Sequence, residues 1–465
     1  MLTYDLTKTD NKALYIVLYE LIRDDILSGK IAGDEKLPSK RTLSEHLGVS
    51  KITVENAYSL LLSEGYIYSV EKRGYYAETD LAKPAAIRKE SGETVSEGEL
   101  EDVTVRQAVN FSSNTIPAEL FPFSVWSSLI RKTISDNKEN LLLPVPFNGA
   151  YYLRKAISDY LSAERGVNVS PGRIIIGAGS EYLYSLLVKL IGKDTAVAIE
   201  DPSYPKTAFM YEYFGAATVR CPLDNNGISI SKLRESGVKA VHLSPSHNFP
   251  TGIITSPKRM AELSRWLGED DSRYIIEDDF DSELRFTGRP VLPFISSDTT
   301  GRVIYINSFS KTIAPSVRMS YMVIPDSMVE LTKKISGYSS CTVPSFEQYT
   351  LAEFIAQGYF SRHLSRARRY YKNLRKSLLD IYYSDPVSEK SVIIEGGAGL
   401  HFFLKLSTGV SENDIKQMLL DDGIRVSFLS DYSFFNKNDK MLLINYSGIK
   451  TEEFVVLLNK LHKIL

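Results

Sequence analysis

The chain has 465 residues, 43% of them hydrophobic and 24% charged, and a formal net charge of −2. So long a chain predicts two or three domains, with the composition of a soluble globular protein. The near-zero charge balance excludes attraction of nucleic acid by the field of the whole molecule, so any such contact needs a local patch.

Residues Met1 to Asp10 hold no apolar core behind a basic flank, which argues against a secretory signal. Leu14, Val17, Leu18, Leu21 and Ile22 recur at helical spacing and predict a first helix with one apolar face. Pro38-Ser39 opens a second helix, with Ser39 as its cap and Leu43 and Leu47 on one side. Gly48-Val49 makes a turn, and Ser50 caps a third helix whose buried stripe is Val54, Ala57, Tyr58, Leu61 and Leu62. Gly65 ends that helix as a left-handed cap. Its first turn exposes Lys51 and Thr53, where a recognition helix presents groups to the major groove. Ile67 to Ala77 reads as two short strands around Glu71-Lys72-Arg73-Gly74, a wing with a basic tip. Residues 1–78 carry ten Lys and Arg against twelve Asp and Glu, which favours a plain helical bundle over a DNA-binding module. The basic groups are clustered, however, at Lys40-Arg41, Lys51 and Lys72-Arg73, three points that would face one duplex.

The stretch Leu37-Pro-Ser-Lys-Arg-Thr-Leu-Ser-Glu-His-Leu-Gly-Val-Ser-Lys-Ile-Thr-Val-Glu-Asn-Ala-Tyr58 resembles the winged helix of the GntR family. The resemblance implies double-stranded DNA as partner, with phosphate or base contacts from Arg41, Lys51 and Thr53 beside the cap Ser50. It also implies minor-groove approach by the wing near Gly74. Glu55 stands where many relatives carry a base-reading Arg; a glutamate there can accept from a cytosine amino group or simply face solvent.

Residues 79–107 contain Pro84, Ser91-Gly92-Glu93, the acidic run Glu97 to Asp102 and no aromatic residue. So little apolar surface cannot offset the entropy of ordering, and the segment is expected to be a flexible linker. From Phe111 onward, apolar runs alternate with helical stretches: Arg173 to Ile176, Ala196 to Ile199, Ala240 to Leu243, Tyr274 to Ile276 and Val303 to Ile306. This alternation predicts an α/β domain with a parallel sheet. Cys221 and Cys341 stand alone without metal-type spacing; read as reduced core thiols, they imply a cytoplasmic location.

Several strand ends carry chemistry. In Ile174-Ile-Ile-Gly-Ala-Gly-Ser-Glu181 a strand enters a helix through glycines, and the free amides of Ser180 and Glu181 suit a phosphate, although a Gly-X-Gly turn is more often only a tight connection. Ser308-Phe-Ser-Lys-Thr-Ile-Ala-Pro-Ser-Val-Arg318 sets Lys311 among hydroxyls and an arginine. This suits an internal aldimine, with Ser308, Ser310 and Arg318 on a phosphate dianion. In Tyr274-Ile-Ile-Glu-Asp-Asp-Phe-Asp-Ser-Glu-Leu284, Asp278 can keep a pyridine nitrogen protonated. A metal site from Asp278, Asp279 and Asp281 ranks lower, because no glycine-bearing calcium loop accompanies them. Tyr204 offers a stacking ring, and the segment Ser244 to Gly252, with Asn248, can line the ring edge, whereas His247 by itself is more often a structural histidine.

In this order these segments resemble fold-type-I pyridoxal 5′-phosphate (PLP) enzymes of the aspartate aminotransferase superfamily, over about residues 108–465. A winged helix (1–78), a linker (79–107) and an aminotransferase-like domain with a small α+β subdomain at about 336–465 resemble the MocR-type, or GabR-like, regulators. The resemblance implies PLP as cofactor on Lys311, Asp278 as pyridinium partner and Tyr204 as stacking ring. It implies a phosphate cup from Ser180, Glu181, Ser308, Ser310 and Arg318, with Asn248 and Phe280 beside the cofactor, and a head-to-tail homodimer. Two departures stand out. Phe280 lacks the hydroxyl of the usual Tyr, and Gly448, in Leu442-Leu-Ile-Asn-Tyr-Ser-Gly448, aligns with a substrate-clamping Arg, for which Lys206 would be a weak substitute. The leading expectation is a DNA-binding regulator of promoters that senses PLP, an amine or an amino acid and turns over poorly as a transaminase. The alternatives are a working aminotransferase with an accessory DNA-binding module, and a PLP reservoir.

Overall fold

The computed structural model describes residues 2–4, 6, 13–78, 109–285, 291–395, 399–435 and 439–465. The expected linker, 79–107, lies outside the described residues. The chain divides into two compact units, Met1–Val105 and Arg106–Leu465.

The first unit holds α1 (Leu14–Leu27), α2 (Lys40–Leu47), α3 (Lys51–Ser63) and the antiparallel hairpin β1 (Ile67–Val70) and β2 (Gly74–Ala77). Its boundaries follow from local chemistry. Ser39 Oγ accepts from Thr42 N and Ser50 Oγ from Thr53 N, which starts two helices, and Gly48 and Gly65 adopt φ of 67° and 75° after them. Leu18, Ile22, Leu43, Val54, Tyr58 and Leu61 are fully buried and form its core, whereas Leu14 of the expected stripe is 41% exposed.

The second unit is built on an eight-stranded sheet. In chain order its strands follow β3 (Val109–Asn110): β4 (Ile174–Gly177), β5 (Val197–Asp201), β6 (Thr218–Asp224), β7 (Gly227–Ile228), β8 (Ala240–Leu243), β9 (Tyr274–Asp278), β10 (Val303–Ser308) and β11 (Ser320–Val323). The spatial order is β4-β11-β10-β9-β8-β5-β6-β7. Strands β10, β9, β8, β5 and β6 run parallel, as the alternation predicts. The sheet is nonetheless mixed: β11 lies antiparallel between β10 and β4, and β7 folds back on β6. The connection from β10 to β11 is too short for a crossover, so the chain returns in the opposite sense.

A second, four-stranded antiparallel sheet, β12 (Ser391–Ile394), β13 (His401–Leu406), β16 (Met441–Asn445) and β15 (Ser427–Phe428), packs against the 26-residue helix Tyr359–Ser384 and the helix Thr451–Leu461. The short strand β14 (Ile424–Arg425) pairs in parallel with β3, which draws the start of this unit onto the C-terminal subdomain. No helix among the described residues is long and apolar enough to cross a membrane.

Candidate functional site

Strands β5, β8, β9 and β10 are parallel, so their C-terminal ends open on one side of the sheet, where α/β proteins bind ligands. A cavity of about 350 Å³ lies there, lined by residues from these ends and by Tyr432 of the C-terminal subdomain. Lys311 sits in the four-residue helix Phe309–Thr312 that follows β10 and lines this cavity. Its Nζ donates to Asn114 Oδ1 at 2.6 Å and lies 5.7 Å from the centre of the Phe280 ring. Burial pushes its pKa down, opposed by the charge of Asp281, so the neutral, nucleophilic amine is favoured relative to a solvated lysine.

Asp278 ends β9 and also lines the cavity. Tyr184 Oη donates to it at 3.3 Å, and His242 Nε2 lies 3.5 Å away, itself 3.0 Å from Tyr211 Oη through Nδ1. The three acidic side chains do not converge as metal ligands: Asp279 faces Arg165, Tyr305 and Ser246, and Asp281 faces His247 Nδ1 at 3.0 Å. Burial raises the Asp281 pKa, but His247, with Lys311 and His401 behind it, holds it below the ordinary carboxylate range.

Of the residues expected to hold a phosphate, Ser180 and Glu181 begin the helix Ser180–Ile191 and Arg318 lies against Gly179 just before it. Ser180 and Ser308 line the cavity. Ser308 Oγ accepts from Ser310 N at 3.2 Å and from Ser320 Oγ at 2.9 Å. A Cβ built on Gly179, whose φ is +86°, would lie 2.6 Å from Arg318 Nη2, so only glycine admits the guanidinium at this turn. Ser310 and Arg318 are not among the cavity-lining residues. The Glu181 carboxylate is taken by Lys206 in an ion pair, which leaves only its backbone amide for an anion. Tyr204, 52% exposed, forms one wall, its ring edge-on to Phe249.

Asn248 is buried at the cavity wall with its amide already engaged: Nδ2 donates to Glu200 Oε2 at 2.9 Å and to Pro202 O at 3.3 Å, while Oδ1 accepts from Thr251. His247 is not at the cavity wall; it packs on Asp281, and Gly399 admits its ring, since a Cβ there would meet His247 Cε1 at 2.1 Å. At Gly448, aligned with a substrate-clamping Arg, a Cβ would meet Thr115 Oγ1 at 1.6 Å. Gly448 lies beyond the end of β16; within that strand Leu443 clusters with Phe249 and Tyr432, and Asn445 donates to Asn114 Oδ1 at 2.8 Å. Cys341 is half-buried instead of a core thiol.

Sequence reasoning missed Asn114, Tyr184, His242, Glu200 and Tyr432, all of which line the cavity. Asn114 had a local signal in the polar run Ser112-Ser113-Asn114 directly after Phe111, and Glu200 had one in its place directly after the apolar run Ala196 to Ile199.

In the first unit, Lys51 is exposed at the start of α3, and Lys72 (φ 60°), Arg73 and Gly74 form the tip between β1 and β2. Arg41, 83% exposed in its side chain, pairs with Glu45 one turn on. Lys40 Nζ instead reaches Glu55 Oε1 at 2.9 Å. Ser50 and Thr53 share a hydroxyl contact of 2.8 Å, so Thr53 serves the cap and is half-buried. Lys36, which was not expected at the tip, lies beside Gly74, 3.4 Å from where a Cβ there would stand.

Residues 14–76 match the family model described as bacterial regulatory proteins, gntR family. The chain is 30% identical to the "Probable rhizopine catabolism regulatory protein MocR" of Rhizobium meliloti, over 93% of this chain and 90% of that one. It is 29% identical to the "HTH-type pyridoxine biosynthesis transcriptional regulator PdxR" of Corynebacterium glutamicum, over 89% and 88% of the two chains. Its fold is similar to that of a Pyrococcus horikoshii kynurenine aminotransferase crystallised with PMP, with a TM-score of 0.68 at 20% identity, covering 77% of this chain and 91% of that one.

Proposed function

The chain belongs to the MocR-type transcription regulators, with a GntR-type helix-turn-helix module and an aminotransferase-like domain, and from that premise we propose that it binds promoter DNA and holds PLP on Lys311 as its sensing group. The observation that carries the reading is a desolvated lysine in a cavity that also holds a strand-end carboxylate, beside a turn where only glycine leaves room for Arg318. PLP, when bound, supplies an aldehyde for amines and an electron-withdrawing ring. Lys311 is the residue that would join it, and Asp278 would hold the proton on its ring nitrogen. Ser180, Ser308, Ser310, Arg318 and the Glu181 amide would take its phosphate, and the Tyr204 ring would cover its face.

The signal is PLP itself or a small amine or amino acid that reacts with it; the name of the Corynebacterium relative favours the first. The acceptor of that signal is a homodimer whose DNA-binding heads change arrangement. The fold likeness keeps a transaminase in view. Against efficient turnover, no arginine is among the described residues that line the cavity, and Phe280 carries no hydroxyl to donate. The test is a retardation assay with the full chain and the DNA upstream of its own coding region, with and without PLP. A complex whose mobility or affinity PLP alters supports the regulator; steady multiple turnover of amino acids with a keto acid and no PLP effect on DNA overturns it.

The phosphate assignment has its own check. Gly179→Ala forces a left-handed backbone on alanine and drives its Cβ into Arg318. Hydrogen bonds to charged groups contribute about 1.5–3 kcal/mol, so PLP affinity falls tenfold or more. Pyridoxal without phosphate binds both forms alike. Equal losses for both ligands, in spectral titrations, would place the phosphate elsewhere.

A further inference from the structure

The outward face of α3 carries Lys51, Ile52, Glu55, Asn56 and Ser59, opposite the buried Val54, Ala57, Tyr58 and Leu61. Two features of this face are unexplained by the fold. Ile52 is 68% exposed in the first turn, where it contributes nothing to the core. Glu55 puts a negative charge where a DNA-facing helix ordinarily avoids one. That carboxylate is held in place: Oε1 accepts from Lys40 Nζ at 2.9 Å, and Lys40 lies 5.4 Å from the centre of the Tyr75 ring. Tyr75 in turn packs edge-on against the buried Tyr58, with ring centres 5.1 Å apart. One chain of contacts thus links α2, α3 and β2 and ends on the Glu55 carboxylate.

We propose that Glu55, pinned by Lys40, and Ile52, one turn before it, are the base-reading pair of this module, taking a cytosine amino group and a neighbouring thymine methyl group in the major groove. This rests on the reading of the module as DNA-binding. The Lys40 ammonium cancels the charge of Glu55, which removes the repulsion that phosphates exert on a bare carboxylate. It occupies one oxygen, and the other has no recorded partner among the described residues. A carboxylate oxygen is an acceptor only, and cytosine presents its amino donor beside a C–H, whereas adenine sets its amino donor beside the N7 acceptor, which repels it. Ile52 offers the apolar surface that a thymine methyl fills. Three residues of helix advance about 4.5 Å, against about 3.4 Å per base step, so the two side chains meet adjacent pairs. Ser50 and Thr53 do not compete, because their hydroxyls serve the helix cap.

The test is enrichment of bound sites from random DNA by the full chain, in parallel for the wild type, Glu55→Ala, Glu55→Gln, Ile52→Ala and Lys51→Ala. The wild type selects a cytosine next to a thymine in each half-site. Glu55→Ala relaxes the cytosine position alone, with discrimination falling about tenfold or more, and Glu55→Gln moves the preference to adenine, which glutamine reads through two hydrogen bonds. Ile52→Ala relaxes the thymine position, while Lys51→Ala weakens all sequences alike. All these positions are exposed, so each variant keeps the wild-type melting temperature. Identical selected sequences for the wild type and both Glu55 variants overturn the proposal. Failure of the wild type to enrich any sequence overturns the DNA-binding reading itself.

Discussion

Lys311→Ala eliminates cofactor that borohydride can fix to the protein, while the fold and DNA binding without cofactor persist. Reduction of the wild type in the presence of PLP should give one covalent adduct per chain, located on the peptide that contains Lys311. The expectation has two physical parts. The lysine amine lies in the cavity and burial lowers its pKa, so a larger fraction is neutral and able to attack an aldehyde than in a solvated lysine. No other lysine in the cavity is equivalent, because Lys206 is paired with Glu181. Stability should change little. Removal of the amine takes one donor from Asn114 Oδ1, which still accepts from Asn445 Nδ2 at 2.8 Å. The variant can still bind PLP without a covalent bond through the phosphate groups, with a changed visible spectrum. A variant that kept the wild-type spectrum and the same reducible adduct would refute Lys311 as the attachment point. Absence of any adduct in the wild type would remove PLP from the proposal.

What could be read from the sequence depended on how local the signal was. Lys311, Asp278, Ser180 and Tyr204 each follow a short apolar run, and parallel strands put such ends on one side of a sheet whatever their order. The residues around them were harder to read. Tyr184 and Tyr432 reach the cavity from a helix interior and from the other subdomain, and nothing in their neighbourhoods distinguishes them from core aromatics. His242 lies inside β8 among apolar neighbours and is 4% exposed, which in sequence resembles any buried histidine. The alignment at Gly448 has no local signal of this kind. In Met441-Leu-Leu-Ile-Asn445 both faces of β16 are apolar, so no alternation reveals which face turns to the cavity; the contacts of Leu443 and Asn445 do. At the other end of the chain, Ser50 is expected as a cap and Lys51 and Thr53 at the groove; Ser50 Oγ does accept from Thr53 N, and the Thr53 hydroxyl joins that cap. The long-range pairing of Lys40 with Glu55 needed coordinates, since fifteen residues and a turn separate them.

Arg165→Met destabilises the second unit by about 3–5 kcal/mol, the range expected when one partner of a buried ion pair is removed. Arg165 and Asp279 are 5% and 0% exposed in their side chains, with Nη2 2.7 Å from Oδ2. Asp279 also accepts from Tyr305 Oη at 2.8 Å and Ser246 Oγ at 2.6 Å, so its carboxylate ties the helix Tyr151–Arg165 to β10 and to the loop after β8. Two further carboxyl groups are close: Glu277 and Glu283 both have pKa values raised by burial first and by the charge of Asp279 second, while Arg165 pulls them down. Without the guanidinium, the buried Asp279 carboxylate loses its ion-pair partner. Glu277 and Glu283, already raised by burial and by Asp279, lose the charge that pulls them down and rise further. Groups with raised folded pKa values bind more protons folded than unfolded, so the variant's deficit grows as pH rises. Adding Asp279→Asn to Arg165→Met should recover part of the stability and flatten that growth. Both tryptophans, Trp126 and Trp266, belong to the second unit, so urea unfolding followed by tryptophan fluorescence reports on it alone. Because Asp278 directly precedes Asp279, the same variant should loosen PLP even where the fold survives, and should leave DNA binding without cofactor unchanged. A midpoint shift that is the same at pH 5 and pH 8 would mean that Arg165 does not offset the burial of Glu277 and Glu283.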